Sequence, residues 1–301
     1  MQFAKPLHLR FLIALFLFCG LTVFLSAEGA SEKPSGIQVV AAENTYGDLV
    51  QQIGGLHVQV LSIISDPNVD PHEYESNVDD ARQIADADLV IENGGGYDDW
   101  MDKLMATTGS SKRTVIKAFD LAPNRLKENE HVWYNPDNVI VISQKILDTL
   151  KQKDPADSAE FEANFASLKS DIQKLDTRLA DLKAKFANTP IALTETIFLY
   201  QSELIGLNVL TPWTFDKAIA EGNDPSPADA ILAEQQLTSR QAKVLVYNLQ
   251  TVTPITTKLQ QDAHVLNIPV VPVTETMPPG EHYQSWMSKQ LDLLEAALTP
   301  K

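Results

Sequence analysis

The feature that most constrains this fold is residues 157–187, a long stretch that contains neither glycine nor proline. Within it, apolar side chains recur at alternating spacings of four and three residues, which is the period of one buried face on an α-helix. A helix of about 30 residues is roughly 45 Å long, so the pattern predicts a single helix that runs the length of a domain. The apolar positions are Phe161, Phe165, Leu168, Ile172, Leu175, Leu179, Leu182 and Phe186.

Short apolar runs alternate with amphipathic stretches on both sides of this helix. Such alternation predicts mostly parallel sheets that are covered by helices. A two-chain coiled coil is the rival interpretation of the long helix, but complete α/β units flank it and need covering. The predicted fold class is therefore α/β, with two α/β lobes of mostly parallel sheets bridged by one long rigid α-helix. The predicted strands are residues 37–42, 58–64, 89–92, 114–117, 191–194, 243–247 and 269–273.

The N-terminus has the pattern of an export signal. Lys5 and Arg10 precede an apolar run, and small residues lead to a cleavage point after Ala27, with Ala30 as a second candidate. The run is short for a membrane span, which needs roughly 20 residues, so cleavage is favoured over an uncleaved anchor. Lipoprotein processing at Cys19 is a third option, but Phe18 stands where that machinery prefers a small residue.

The predicted domain organisation follows from these patterns. It consists of a signal peptide (1–27), a polar tether (28–35), an N-terminal lobe (36–155), the spine helix (156–188) and a C-terminal lobe (189–301). Cys19 is the only cysteine, so the exported chain has neither a disulfide nor a thiolate metal ligand. Loss of the two basic residues of the signal changes the formal charge from −16 to −18. A nucleic-acid partner needs a basic face and is therefore not expected.

Four potential metal ligands each follow the carboxyl end of a predicted strand: His72, His131, Glu195 and Glu275. Open α/β sheets bind ligands at that edge. Two of the four precede the spine helix and two follow it, so we expect them to converge in a cleft between the lobes. Two neutral imidazoles and two carboxylates balance the charge of a divalent ion and suit Zn²⁺, Mn²⁺ or Fe²⁺.

The motifs around these residues resemble those of the solute-binding proteins of manganese and zinc ABC importers. Asp70-Pro71-His72 is similar to the family's motif for the first ligand, and residues 131–136 are similar to its His-x-Trp-x-x-Pro motif for the second. Residues 93–100 are similar to its Asn-Gly-x-Gly-x-x-x-Trp segment. The resemblance covers nearly all of the chain after the signal. It implies two lobes joined by a long helix, with Glu195 as the third ligand and Glu275 in place of the usual aspartate as the fourth.

The resemblance also implies a function. We expect a non-catalytic, exported protein, periplasmic or on the cell surface, that binds a divalent metal ion as transported cargo. Its partner would be the membrane permease of an ABC importer, and we expect the binding protein to be monomeric. Ligand hardness favours Mn²⁺ or Fe²⁺, whereas the general affinity order favours Zn²⁺, so the metal stays open.

Two other functions fit the same residues. A metal-dependent hydrolase would keep an open coordination position for water, which is available if Glu275 does not bind the ion. A surface adhesion protein would use the same fold with a vestigial site. The remaining histidines of the exported chain, His57, His264 and His282, are not part of the predicted site.

Overall fold

The computed structural model describes residues 1–2 and 36–300, and its first sheet is formed by four parallel strands. The strand order is β2-β1-β3-β4, with β1 and β3 in the interior of the sheet. These interior strands are almost entirely buried, as expected for parallel strands that are covered on both faces. The strands are β1 (Ile37–Glu43), β2 (Val58–Ile64), β3 (Leu89–Glu92) and β4 (Thr114–Lys117).

The second sheet repeats the topology of the first. Its order is β6-β5-β7-β8, and all pairings are again parallel. The sequence patterns predict only three of these strands, because the fourth, β6, has two residues and is too short to show a periodicity. The strands are β5 (Pro190–Leu193), β6 (Asn208–Val209), β7 (Leu245–Asn248) and β8 (Val270–Val273).

Eleven α-helices connect and cover the strands within residues 36–300. The third helix begins at Asp99, and three glycines with positive φ, Gly94, Gly95 and Gly96, precede it. At Gly95, a Cβ atom would lie 2.7 Å from the Phe119 ring, so this close approach requires glycine. The helices are α1 (Asn44–Gly54), α2 (Val78–Asp86), α3 (Asp99–Thr107), α4 (Ala118–Leu121), α5 (Pro136–Lys153), α6 (Ser158–Phe186), α7 (Leu199–Ile205), α8 (Trp213–Ala220), α9 (Pro227–Thr238), α10 (Pro254–Val265) and α11 (Tyr283–Leu298).

Helix α6 is the predicted spine. It is continuous over 29 residues, and seven of the eight apolar positions of its stripe are buried, while Phe186 is half-buried. The helix contacts α1 and α5 from the first half of the chain and α7 and α11 from the second half. Its buried residues belong to one hydrophobic cluster that also contains Leu89 of β3 and Val246 of β7. The two sheets therefore share a core along α6.

These observations confirm the predicted α/β class with two lobes and one bridging helix. Residues 36–300 belong to one compact unit, and the lobe limits at residues 36–155 and 189–301 stay predictions. No helix in the described part of the chain is long and apolar enough to cross a membrane. The predicted signal peptide and tether lie outside the described residues, except for residues 1–2.

Candidate metal centre

His72 lies in the loop that follows β2, where a single 3-10 turn begins at Pro71. Asp70 fixes this turn, because its Oδ1 accepts a hydrogen bond of 2.9 Å from the backbone N–H of His72. The imidazole packs edge-on against the Tyr97 ring, with 4.7 Å between the ring centroids. The side chain of His72 is 16% exposed, so it lies at the outer side of the site.

His131 is completely buried and its orientation is fixed by Asn129. The Oδ1 atom of Asn129 lies 3.0 Å from the backbone N and 3.1 Å from Nδ1 of His131, while its Nδ2 donates to the Thr196 carbonyl. Because Oδ1 can only accept, Nδ1 of His131 carries the proton. The lone pair is therefore on Nε2, which is buried without a hydrogen-bond partner. Burial, and secondarily the nearby His72, lowers the pKa of His131 well below its usual value and keeps the ring neutral.

Glu195 is the second residue after the end of β5 and caps the short 3-10 turn Thr196–Phe198. Its Oε2 accepts a hydrogen bond of 2.9 Å from the backbone N–H of Ile197, whereas its Oε1 is buried without a partner. Burial raises the pKa of this carboxyl well above its usual value, and the charge of Glu275 raises it further. The cap thus fixes one oxygen and leaves the other available to a ligand.

Glu275 follows β8 and is 1% exposed. Its Oε1 accepts from Nδ2 of Asn248, at the end of β7, at 2.6 Å. Its Oε2 accepts from the Tyr97 hydroxyl at 2.9 Å. The backbone N–H of Glu275 donates to Oε1 of Gln250 at 2.6 Å, so the whole residue is held in position by its neighbours.

The four side chains lie in two neighbouring groups that share Glu275. His131, Glu195 and Glu275 have ligand atoms within 4.8 Å of one another, and so do Asp70, His72 and Glu275. The Nε2 atom of His72 is 3.6 Å from Oε2 of Glu275, and the rings of His72 and His131 are 6.0 Å apart. The site therefore holds two buried carboxylates and two imidazoles, and the Nε2 atoms of these imidazoles have no hydrogen-bond partner. A divalent cation would satisfy this arrangement.

The structure adds residues that the sequence patterns did not single out. Glu130 lies within 4.8 Å of ligand atoms of both His72 and His131, and Asp70 joins His72 and Glu275. Burial raises the pKa of both of these carboxyls. The only sequence signal for these two residues is that Asp70 directly precedes Pro71-His72 and Glu130 directly precedes His131. Adjacency in the chain does not determine whether two side chains point toward the same site.

The other described histidines lie elsewhere. His264 is exposed, and the His282 ring is 2.7 Å from Asp48 at the protein surface. His57 is 2.7 Å from Asp157, and these two residues and Asp154 form a separate, partly exposed group near the start of α6. None of the three contributes to the cluster around His131.

Comparison with known proteins decides the family. Residues 39–297 match the sequence model of the family described as ZnuA, zinc-uptake complex component A, periplasmic. The chain belongs to this family. Membership confirms the resemblance seen in the motifs and the expectation of a binding protein rather than an enzyme.

Relatives of known name agree with this family. The metal ABC transporter substrate-binding lipoprotein ScbA of Streptococcus cristatus is 27% identical, over 96% of this chain and 98% of its own length. The manganese ABC transporter substrate-binding lipoprotein ScaA of Streptococcus gordonii is 26% identical, over 96% and 98%. The solved structure of the periplasmic zinc-binding protein TroA from Treponema pallidum superposes with a TM-score of 0.75 at 18% identity, over 88% of this chain and all of TroA. That likeness confirms the fold.

Proposed function

We propose that this protein binds one divalent transition-metal ion, Zn²⁺ or Mn²⁺ with Fe²⁺ as a further candidate, through His72, His131, Glu195 and Glu275. The observation that carries the proposal is the set of buried atoms without hydrogen-bond partners: Nε2 of His72, Nε2 of His131 and Oε1 of Glu195. Buried polar atoms are nearly always satisfied. Each of the three residues belongs to a group of ligand atoms within 4.8 Å that also contains Glu275, and one ion that binds all four side chains would satisfy these atoms.

The surroundings of these atoms support metal binding. The hydrogen bond from Nδ1 of His131 to Asn129 is the kind of outer contact that orients a metal-binding imidazole and fixes its tautomer. The neutral state of His131 means that no proton competes with the ion at that nitrogen near pH 7. A divalent ion would also offset the repulsion between the buried carboxylates of Glu195 and Glu275.

The bound ion is cargo for transport. The protein acts outside the cytoplasm and works with an ABC metal importer, in agreement with its family and with the names of its relatives. We further propose that the chain is monomeric and that its signal peptide is cleaved after Ala27. Lipid attachment at Cys19 is the alternative, because relatives are named as lipoproteins. Mass spectrometry of the exported protein would distinguish cleavage after Ala27 from lipid attachment at Cys19.

The proposal predicts metal-dependent stabilisation that requires His72. Purified protein should bind one equivalent of Zn²⁺ or Mn²⁺, and free metal at 1,000 times the dissociation constant should add about 4 kcal/mol to the free energy of unfolding. His72→Ala should lose most of this gain, because the ion loses a nitrogen ligand. Thermal unfolding with and without metal measures the effect.

His264→Ala is the matched control, since His264 is exposed and lies outside the cluster. It should keep the full response to metal. A wild-type protein whose unfolding temperature does not change with either metal would refute the proposed function.

A further inference from the structure

Glu130 places a third carboxylate at the proposed ion site. Its Oε1 lies 3.7 Å from Nε2 of His72, and its side chain is only 15% exposed. Two donors that each lie about 2.1 Å from one ion are at most about 4.2 Å apart. The contacts from His72 to Glu130 and to Glu275, at 3.7 and 3.6 Å, both fall within that limit.

The backbone of Glu130 is held in position on both sides. Its carbonyl accepts a hydrogen bond of 3.0 Å from Nδ2 of Asn93, which follows β3, and one of 2.7 Å from the backbone N–H of Val132. The neighbouring Asn129 and His131 are fixed by the hydrogen bonds that orient the imidazole. The carboxylate therefore comes from an ordered turn, which favours a ligand role over that of a surface charge.

Within the described residues, the side chain of Glu130 makes one ion pair, with His72. The other residue that shares a group of ligand atoms within 4.8 Å with Glu130 and His72 is His131, which also belongs to the proposed site. A mostly buried carboxylate that is paired with one imidazole is unfavourable unless a cation is present. The same carboxylate becomes favourable when an ion binds between it and His72.

We propose that Glu130 is a fifth ligand to the ion and that it favours Mn²⁺ over Zn²⁺. This inference rests on the proposed function. A shell of two imidazoles and three carboxylates is richer in hard oxygen donors and larger than the four-ligand shell that Zn²⁺ usually takes. Mn²⁺ gains from the added oxygen, whereas Zn²⁺ is already satisfied by four donors.

The test is the substitution Glu130→Gln, which keeps the size of the side chain and weakens its oxygen as a donor. We expect the affinity for Mn²⁺ to fall about tenfold or more, and the affinity for Zn²⁺ to change much less. Both are measured by competition against a metal-binding dye. The absorption bands of Co²⁺ give a second readout, because they intensify when the ion changes from five ligands to four.

Glu128→Gln is the matched control. It removes one negative charge two residues away, from a side chain that is 45% exposed and pairs with lysines. We expect it to leave both affinities and the Co²⁺ spectrum unchanged. Glu130→Ala, which removes the donor entirely, should repeat the loss seen with Glu130→Gln.

Three outcomes would overturn the inference. If both Glu130 variants match the control while the wild type binds metal, Glu130 is not a ligand and the proposed function stands. If the affinities for Mn²⁺ and Zn²⁺ fall equally, Glu130 does not select between them. If the wild-type protein binds neither ion, the proposed function fails together with this inference.

Discussion

At the scale of single residues, several buried acids influence the stability of the chain. Glu43 ends β1 and is 2% exposed, and neither of its carboxylate oxygens has a hydrogen-bond partner in another residue. Burial, followed by the charges of Asp98 and Glu92, raises its pKa well above the usual value. Burial likewise raises the pKa of Asp98 to about 6 and that of Glu92 to about 7.

Raised pKa values in the folded state have a defined sign for stability. Above the ordinary carboxyl pKa, the unfolded chain releases protons that the folded chain still holds. The contribution of these groups to the free energy of unfolding is therefore fully present below the ordinary carboxyl pKa. It is lost as the pH rises toward the folded pKa. The metal-free protein should therefore lose stability between about pH 4 and pH 7 through Asp98 and Glu92, and over a wider range through Glu43.

Glu43→Gln tests this residue directly. The amide has nearly the same shape and cannot ionise, so the variant should be more stable than the wild type, with a larger gain at pH 8 than at pH 5. The difference grows by up to about 1.4 kcal/mol for each pH unit within the range of titration. Urea unfolding at the two pH values measures it. Glu75→Gln is the control at an exposed position and should change the stability by less than about 0.5 kcal/mol. An equal gain at both pH values for Glu43→Gln would contradict the explanation.

At the scale of elements, the long helix α6 carries the shared core. Ile172 lies in the middle of its buried stripe and is 0% exposed, whereas Lys169 lies on the exposed face. The cluster around the stripe includes residues of both sheets. Damage to this stripe should therefore affect both halves of the chain.

Ile172→Ala should lower the free energy of unfolding by about 2–5 kcal/mol, because it removes apolar contacts and leaves a cavity. Lys169→Ala on the same helix should change it by less than about 0.5 kcal/mol. Because both sheets share the core along α6, Ile172→Ala should still unfold in one transition. Urea titration followed by both fluorescence and circular dichroism measures this, and separate transitions for the two signals would show that the halves are not coupled through α6.

At the scale of the whole molecule, direct hydrogen bonds join the two halves around the site. Asn44 exchanges two hydrogen bonds with the backbone of Met277, at 2.7 and 2.9 Å. Nε2 of Gln250 donates to the Val69 carbonyl at 2.7 Å, and the Tyr134 hydroxyl donates to the carbonyl of Thr274 at 2.7 Å. Together with α6, these contacts oppose a large rotation of one lobe against the other.

We therefore expect only a small change of shape when metal binds, with local ordering near Glu195 and Glu275 as its main part. Small-angle scattering of the metal-free and metal-loaded protein should give nearly superimposable profiles. Hydrogen exchange should slow mainly in the segments that follow β5 and β8. A large decrease in the radius of gyration on loading would mean that the lobes close as hinged bodies.

Local patterns determined much of the architecture. Three strands of the first sheet, β2, β3 and β4, have the bounds that their apolar runs predict, and the predicted spine of residues 156–188 extends two residues beyond α6 at each end. These features depend on residues that are close in the chain, where periodicity and chain-breaking residues act directly. The residue types at the strand ends likewise predicted an ion site with oxygen and nitrogen ligands, and the metal binding of its four members remains a proposal.

Only the tertiary structure decided which donors meet and in what state. Asn129 fixes the tautomer of His131, Tyr97 and Asn248 hold Glu275, and Glu130 joins the cluster through the direction of its side chain. The partners in these contacts come from different loops, or depend on a side-chain direction that chain spacing does not set. These contacts depend on distances across the fold and on burial from water. Such distances and burial are set only when the two sheets pack along α6.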